Sequence, residues 1–223
     1  MVTLEQIKNH PYIREFIKRT DLNLQMMGYT EHGFRHMGLV SDIARNVASK
    51  LGFSKKEQEL ASLAAYLHDV GSFMSREGHY AWSATIIYPI LMQMKMPPED
   101  LATVMNAVFS HDQRDLFIFN SVAAIAILAD KSDVHRSRVP AKDVTPEMMR
   151  TDVHTRVNYA VTRSFLRVEK EKKEIVLELD IDTSMTSIME YFEIFIDRMS
   201  HCRKAAEYLG FRFAMVMNGQ VVL

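Results

Sequence analysis

The hydrophobic period of this chain changes once, and the change divides what its two parts can fold into. Up to about residue 140, apolar residues recur every third or fourth position, the signature of amphipathic helices. Thr3 opens one such stretch, with Leu4, Ile7, Ile13, Phe16 and Ile17 on one side and an interruption at Pro11. Thr30 is read as the cap of a helix that runs to Leu51, where Gly52 stops it. Ser54 opens the next helix, Glu57 completes a capping box, and the helix runs to His68-Asp69-Val70, closed by Gly71. A fourth helix spans about 77–94, with a kink expected at Pro89. Pro97-Pro98 break the chain before a fifth, which ends near Ser110-His111, and a sixth runs from about Ser121 to Arg138.

Pro140–Asp152 reads as a connector with two prolines and mixed charge, and after it the period drops to two. Ile175, Leu177, Leu179 and Ile181 alternate with Val176, Glu178 and Asp180, and Phe165–Val168 is the candidate partner strand. A long helix follows, with Met185, Ile188, Met189, Phe192, Ile196, Met199, Cys202, Ala206 and Leu209 in one stripe. Phe213, Met215 and Met217 alternate again, and Asn218-Gly219 signals a type I′ hairpin. The expected fold class is mainly α: a helical domain over 1–140, a connector over 141–152 and a small α+β unit (β-β-α-β) over 153–223. So few strands are marginal alone, so this unit is expected to pack on the helical domain or to pair in a homodimer. No internal repeat or low-complexity tract stands out.

Composition removes several classes of function. With 48% hydrophobic and 25% charged residues the chain is not disordered, and a net charge of -1 offers no global field for nucleic acid or an anionic membrane. The longest clean apolar run, Val122–Ala129, falls far short of the roughly 20 residues of a membrane helix. The N-terminus lacks the basic-then-apolar layout of a signal peptide, and the lone Cys202 cannot form an internal disulfide, so a cytoplasmic location is expected. The 16 methionines read as packing material; the nine histidines carry the chemistry.

Six potential ligands fall at the ends or on the inner faces of the helices: His36, His68, Asp69, His79, His111 and Asp130. His68 and Asp69 are helix neighbours about 100° apart, so both reach one ion only near the helix end. Gly71 lets the chain turn away there and opens the space. His36 shares a face with Val40 and Ile43, which turns it inward. Asp130 follows the apolar run, and a buried carboxylate needs a counter-charge that a metal ion supplies. Imidazole plus carboxylate without thiolate suits Fe, Mn, Zn, Ni or Co rather than a structural zinc site. His36, His68, Asp69 and Asp130 suffice for one divalent transition-metal ion. His79 and His111 add donors for a second ion bridged by Asp69, or else bind substrate phosphate; two ions are the favoured reading. His32, four residues before His36, is either a supporting donor or a helix-surface residue. Lys131, His135 and Arg138 fall at i, i+4 and i+7, a polar stripe beside Asp130. With Arg114 they are candidates for binding substrate phosphates, against the alternative of a solvated face countered by Asp133. Asp69 and Lys131 are the candidate catalytic residues.

The order His…His-Asp…His…His…Asp on helices resembles the HD superfamily of metal-dependent phosphohydrolases. The resemblance lies in His36-Met-Gly-Leu-Val40, Leu67-His68-Asp69-Val70-Gly71, Gly78-His79-Tyr80-Ala81, Val108-Phe109-Ser110-His111 and Leu128-Ala129-Asp130-Lys131, and covers about 30–138. Among its branches the chain is most similar to those with six ligands and two metals, such as the HD-type diadenosine tetraphosphate hydrolases and the cyclic-di-GMP phosphodiesterases. It departs from the latter in carrying Ser72 where they have Lys after His-Asp-X-Gly, and in lacking their Gly-Tyr-Pro loop. The resemblance implies an all-helical HD domain that cleaves a nucleotide-type phosphoester or phosphoanhydride through a metal-bound hydroxide, with a small phosphorylated molecule as partner. A mixed-valent di-iron oxygenase of the same fold and a non-catalytic nucleotide-sensing module are the alternatives.

Overall fold

The computed structural model describes residues 2–223 and divides at Asp130/Lys131 into two compact units. The first is helical: α1 (Leu4–Lys8), α2 (Pro11–Met26), α3 (Phe34–Leu51), α4 (Lys55–Leu67), α5 (His79–Gln93), α6 (Pro98–Ser110) and α7 (Ser121–Ser132), whose last turn crosses the division. Pro11 starts α2 rather than interrupting a helix, because the first helical position needs no amide donor.

Two antiparallel helix pairs organise this unit. Gly52, left-handed at φ 90°, ends α3, and the Ser54–Glu57 capping box starts α4 three residues after α3 ends at Leu51. The two helices approach closely because small residues line the contact: Ala44, Ala48, Ala61 and Ala65 are fully buried. Ser41 Oγ donates to the Ser62 carbonyl at 3.0 Å and Ser62 Oγ to the Ser41 carbonyl at 2.9 Å. Helices α5 and α6 pair in the same way across 94–97, and α6 also packs on α4. In α7 every residue from Val122 to Ala129 is buried. A helix that is apolar all round belongs inside a core.

Two expected boundaries are corrected. Thr30 does not cap α3. Gly33 is the N-cap residue, and the Glu31 carboxylate accepts from the Gly33 amide at 2.7 Å and the His36 amide at 3.4 Å, doing the work of a capping side chain. The sixth helix does not reach Arg138; it stops at Ser132. Beyond it His135 is extended, its side chain accepts from the Ser137 amide, and 136–138 form a separate 3-10 turn. Local side-chain bonds of this kind compete with helix continuation.

In the second unit, 141–143 form another 3-10 turn, followed by α8 (Pro146–Thr151) and α9 (Val153–Ala160), β1 (Val161–Glu169), β2 (Glu174–Ile181), α10 (Ile188–Tyr208), β3 (Arg212–Met217) and β4 (Gln220–Val221). Periodicity did not reveal α8 or α9, because one or two turns hold too few apolar positions for a pattern; caps at Thr145 and Asp152 start them. The sheet order is β1-β2-β3-β4. Strands β1 and β2 are antiparallel, with Leu166 opposite Leu177. Strands β2 and β3 are parallel, with Leu177 opposite Met215, and α10 makes the crossover that a parallel pair requires. Asn218 and Gly219 both have positive φ, 49° and 78°, as a type I′ turn demands, and this turn joins β3 to β4. Among the described residues no helix is long and apolar enough to cross a membrane.

Candidate metal centre

The site forms at the open ends of the two helix pairs, and arm length explains why. His36 lies 15 residues before the end of α3, and His68 follows a 13-residue α4. At 1.5 Å per residue both stand about 20 Å from the connecting turn, so the two rings meet. The second pair repeats this: His79 is the first residue of a 15-residue α5, and His111 follows a 13-residue α6. His36 and His68 Nε2 atoms are 3.3 Å apart, those of His79 and His111 3.0 Å apart, and each pair is separated by the same 32 residues. The absence of a visible repeat is therefore corrected at the level of geometry. Two hairpins of equal arms face each other, each ending in His-Asp: His68-Asp69 and His111-Asp112.

Asp69 joins the two halves. Its Oδ2 lies 3.3 Å from His68 Nε2, while its Oδ1 lies 3.0 Å from His79 Nε2 and 3.5 Å from His111 Nε2. Asp130 on α7 places Oδ1 3.5 Å from both His36 and His68 Nε2. The histidines and Asp69 are buried, and the Asp130 side chain is 13% exposed.

The rings are aimed by the backbone. The Nδ1 atoms of His68, His79 and His111 bond the carbonyls of Ala65 at 2.7 Å, Arg76 at 3.0 Å and Val108 at 2.7 Å, each three residues earlier. A carbonyl only accepts, so each Nδ1 carries a proton and each Nε2 is left facing inward as the nitrogen that can coordinate. Ring nitrogens and carboxylate oxygens packed at 3.0–3.5 Å need positive charge among them, supplied by protons on the rings or by a metal cation. Bonds of about 2.0–2.2 Å to one ion place neighbouring ligand atoms roughly this far apart. Among the described residues, three groups of side chains bring ligand atoms within 4.8 Å of one another: His36, His68 and Asp130; His68, Asp69 and His111; His79, His111 and Asp112.

The family model for the HD domain matches residues 33–135, the stretch that supplies all of these residues. Residues 33–135 are an HD domain. The match places this segment in a superfamily of metal-dependent phosphohydrolases, and the His/Asp clusters fit a metal site. The chain is also similar to an uncharacterized protein of Methanocaldococcus jannaschii, at 27% identity across 63% of this chain and 62% of that protein. The chain thus spans under two thirds of the relative's length.

Charge within the HD domain is strongly perturbed. Burial pushes the Asp69 carboxyl up, but His68, His79 and His111 around it hold it well below the usual carboxylate range. Burial works against a charged His68, yet Asp69 and Asp130 raise it to about 10. Burial lowers His111 to about 4, with Asp69 opposing. Two carboxylates thus retain one strongly basic imidazole while another stays neutral.

Arg114, Lys131, His135 and Arg138 are not among these ligand groups. Arg114 is exposed on the segment after α6. Lys131 is buried in the last turn of α7. His135 bonds Ser137 Oγ at 2.8 Å and the Thr162 carbonyl at 3.0 Å. Arg138 is buried and donates to the Asp133 carbonyl at 3.1 Å. With α7 ending at Ser132, Lys131, His135 and Arg138 do not form one helical stripe. His32 precedes α3 rather than sharing its face, and is buried with Nε2 4.0 Å from Asp69 Oδ2. Gly71 acts differently from the expectation. A Cβ there would stand 2.3 Å from the Ser83 amide nitrogen, so Gly71 permits the turn after Asp69 to touch α5.

Two residues at the site escaped sequence reasoning. Asp112 Oδ2 lies 3.6 Å from His79 Nε2. Arg76 Nη1 lies 3.1 Å from His79 Nε2 and 3.7 Å from Asp69 Oδ1, and its Nη2 lies 3.4 Å from Asp112 Oδ2. The equal 32-residue intervals, each ending in His-Asp, were the available signal for Asp112. Arg76 has none, since it stands on an irregular turn.

Proposed function

We propose that this chain is a metal-dependent phosphohydrolase that cleaves a nucleotide-type phosphoester or phosphoanhydride at a two-ion centre. The observation that supports this most is the division of the Asp69 carboxylate: one oxygen faces His68, the other faces His79 and His111. A carboxylate so placed is the natural bridge between two cations. His36, His68, Asp130 and Asp69 Oδ2 would hold one ion; His79, His111 and Asp69 Oδ1 would hold the other. Bound divalent ions supply a coordinated water of lowered pKa and neutralise charge on phosphoryl oxygens.

The chain's own contribution is orientation and exclusion of bulk water. Backbone carbonyls lock three rings, so little reorganisation is needed when a phosphoryl group arrives. Buried histidines close the inner side, and the partly exposed Asp130 marks the side open to substrate. Arg114 is proposed to meet the substrate's outer phosphate oxygens.

The test is metal analysis of chelator-free protein, with phosphate release from a nucleotide panel under Mn, Fe, Co, Ni and Zn. His68→Ala and Asp130→Ala are expected to fold and to lose at least about 100-fold in activity, the scale of losing a metal-supporting group. Full activity in either variant, or no turnover of any nucleotide under any metal, overturns the reading.

A further inference from the structure

The guanidinium of Arg76 reaches two side chains that would hold the second ion of the proposed centre, His79 and Asp69. His79 Nδ1 is held by the Arg76 main-chain carbonyl at 3.0 Å, so its proton is on that nitrogen and Nε2 is an acceptor. Arg76 Nη1, 3.1 Å away, donates into that Nε2 lone pair. The same guanidinium lies 3.7 Å from Asp69 Oδ1 and 3.4 Å from Asp112 Oδ2, the carboxylates around the second position. Arg has five donors and no acceptor, so it offers a metal ion nothing and competes for His79 and Asp69, two of the proposed ligands, with Asp112 held beside them. One lone pair cannot serve a guanidinium proton and a metal ion together. The first position is built from His36, His68 and Asp130.

Resting on the two-ion reading above, we propose that Arg76 is a tethered competitor for the second ion, which makes the second site weaker than the first and sets the metal concentration at which it fills. Filling the second site requires Arg76 to leave. The side chain is 24% exposed and on a turn between α4 and α5, so it has room to do so. The ring of Tyr29, itself 41% exposed, already lies with its centroid 5.9 Å from the guanidinium carbon and is an aromatic face the side chain can keep as it moves. A guanidinium displaced from His79 is free to meet a phosphoryl oxygen of the substrate. The main-chain bond from Arg76 to His79 survives any substitution at this position, so ring orientation is kept.

The experiment is titration of the full chain with Mn2+, by calorimetry and by electron paramagnetic resonance of free and dinuclear Mn2+. Wild type, Arg76→Gln, Arg76→Met and Arg76→Lys are compared. Wild type is expected to bind in two separated steps. In Arg76→Gln and Arg76→Met the second step tightens at least tenfold, the first stays within about threefold, and the dinuclear signal appears at lower Mn2+. Arg76→Lys, which keeps the charge, stays close to wild type. A second step unchanged or weakened in both neutral variants overturns the proposal while leaving the two-ion centre standing. Two ions bound without turnover of any nucleotide overturns the hydrolase reading alone. No second ion in any form of the protein overturns both.

Discussion

Substituting Gly71 by Ala tests how the first helix pair is coupled to the second. A Cβ at this position would sit 2.3 Å from the Ser83 amide nitrogen, 2.6 Å from the Trp82 carbonyl carbon and 2.8 Å from Trp82 Cβ. Ordinary contact begins at 3.4 Å, so the turn and α5 must separate by about 1 Å. Two of the obstructing atoms are backbone, which cannot rotate aside, so the cost falls at the upper end of the about 1–3 kcal/mol typical of overpacking. The separation also stretches the 2.8 Å bond from the Gly71 amide to Ser83 Oγ, worth about 1 kcal/mol. The expected total is about 3–4 kcal/mol of unfolding free energy, read by urea denaturation in chelator. His79 stands one turn before Ser83 on α5, so the same shift opens the 3.0 Å approach of His79 to Asp69 Oδ1. Calorimetric titration with Mn2+ is then expected to show the second step weakened and the first retained. Gly71→Ala protein with wild-type stability and two undisturbed binding steps would refute the close-approach argument.

Two further predictions concern the second unit. Glu190 is held down to about 2 by the Ser187 amide, Arg156 and Thr186. A depressed carboxyl stabilises the fold above its ordinary pKa near 4.5 and ceases to do so as pH falls toward 2; Glu190→Gln should therefore flatten the acid limb of a stability-against-pH curve between those values, and an unchanged limb would count against it. Arg138→Met leaves the buried Asp133 without the guanidinium 3.8 Å away and is expected to cost about 3 kcal/mol in urea unfolding, a loss that a purely substrate-binding arginine would not show.

Much of the candidate site was legible because metal chemistry restricts side-chain types and helices restrict spacing. His36, His68, Asp69, His79, His111 and Asp130 are picked out by residue type and by position on apolar helix faces, and the structure brings all six to one place. Arg76 and Asp112 were not read. A turn residue has no periodic face, and an acidic residue after a histidine looks like any solvated aspartate until the second hairpin is folded. The Lys131, His135 and Arg138 stripe went astray because it needed a helix to continue past Ser132, where local side-chain bonds end it.

The order of the long helices and main strands and the six ligand residues follow from the sequence by itself, since period, caps and turn residues act within a few positions of the chain. Tertiary structure decided which carboxylate oxygen faces which imidazole, that Gly71 brings the turn after Asp69 against α5, and that a guanidinium reaches His79. Those outcomes depend on how closely separate helices approach, and an ångström between them lies below what any one-dimensional pattern encodes.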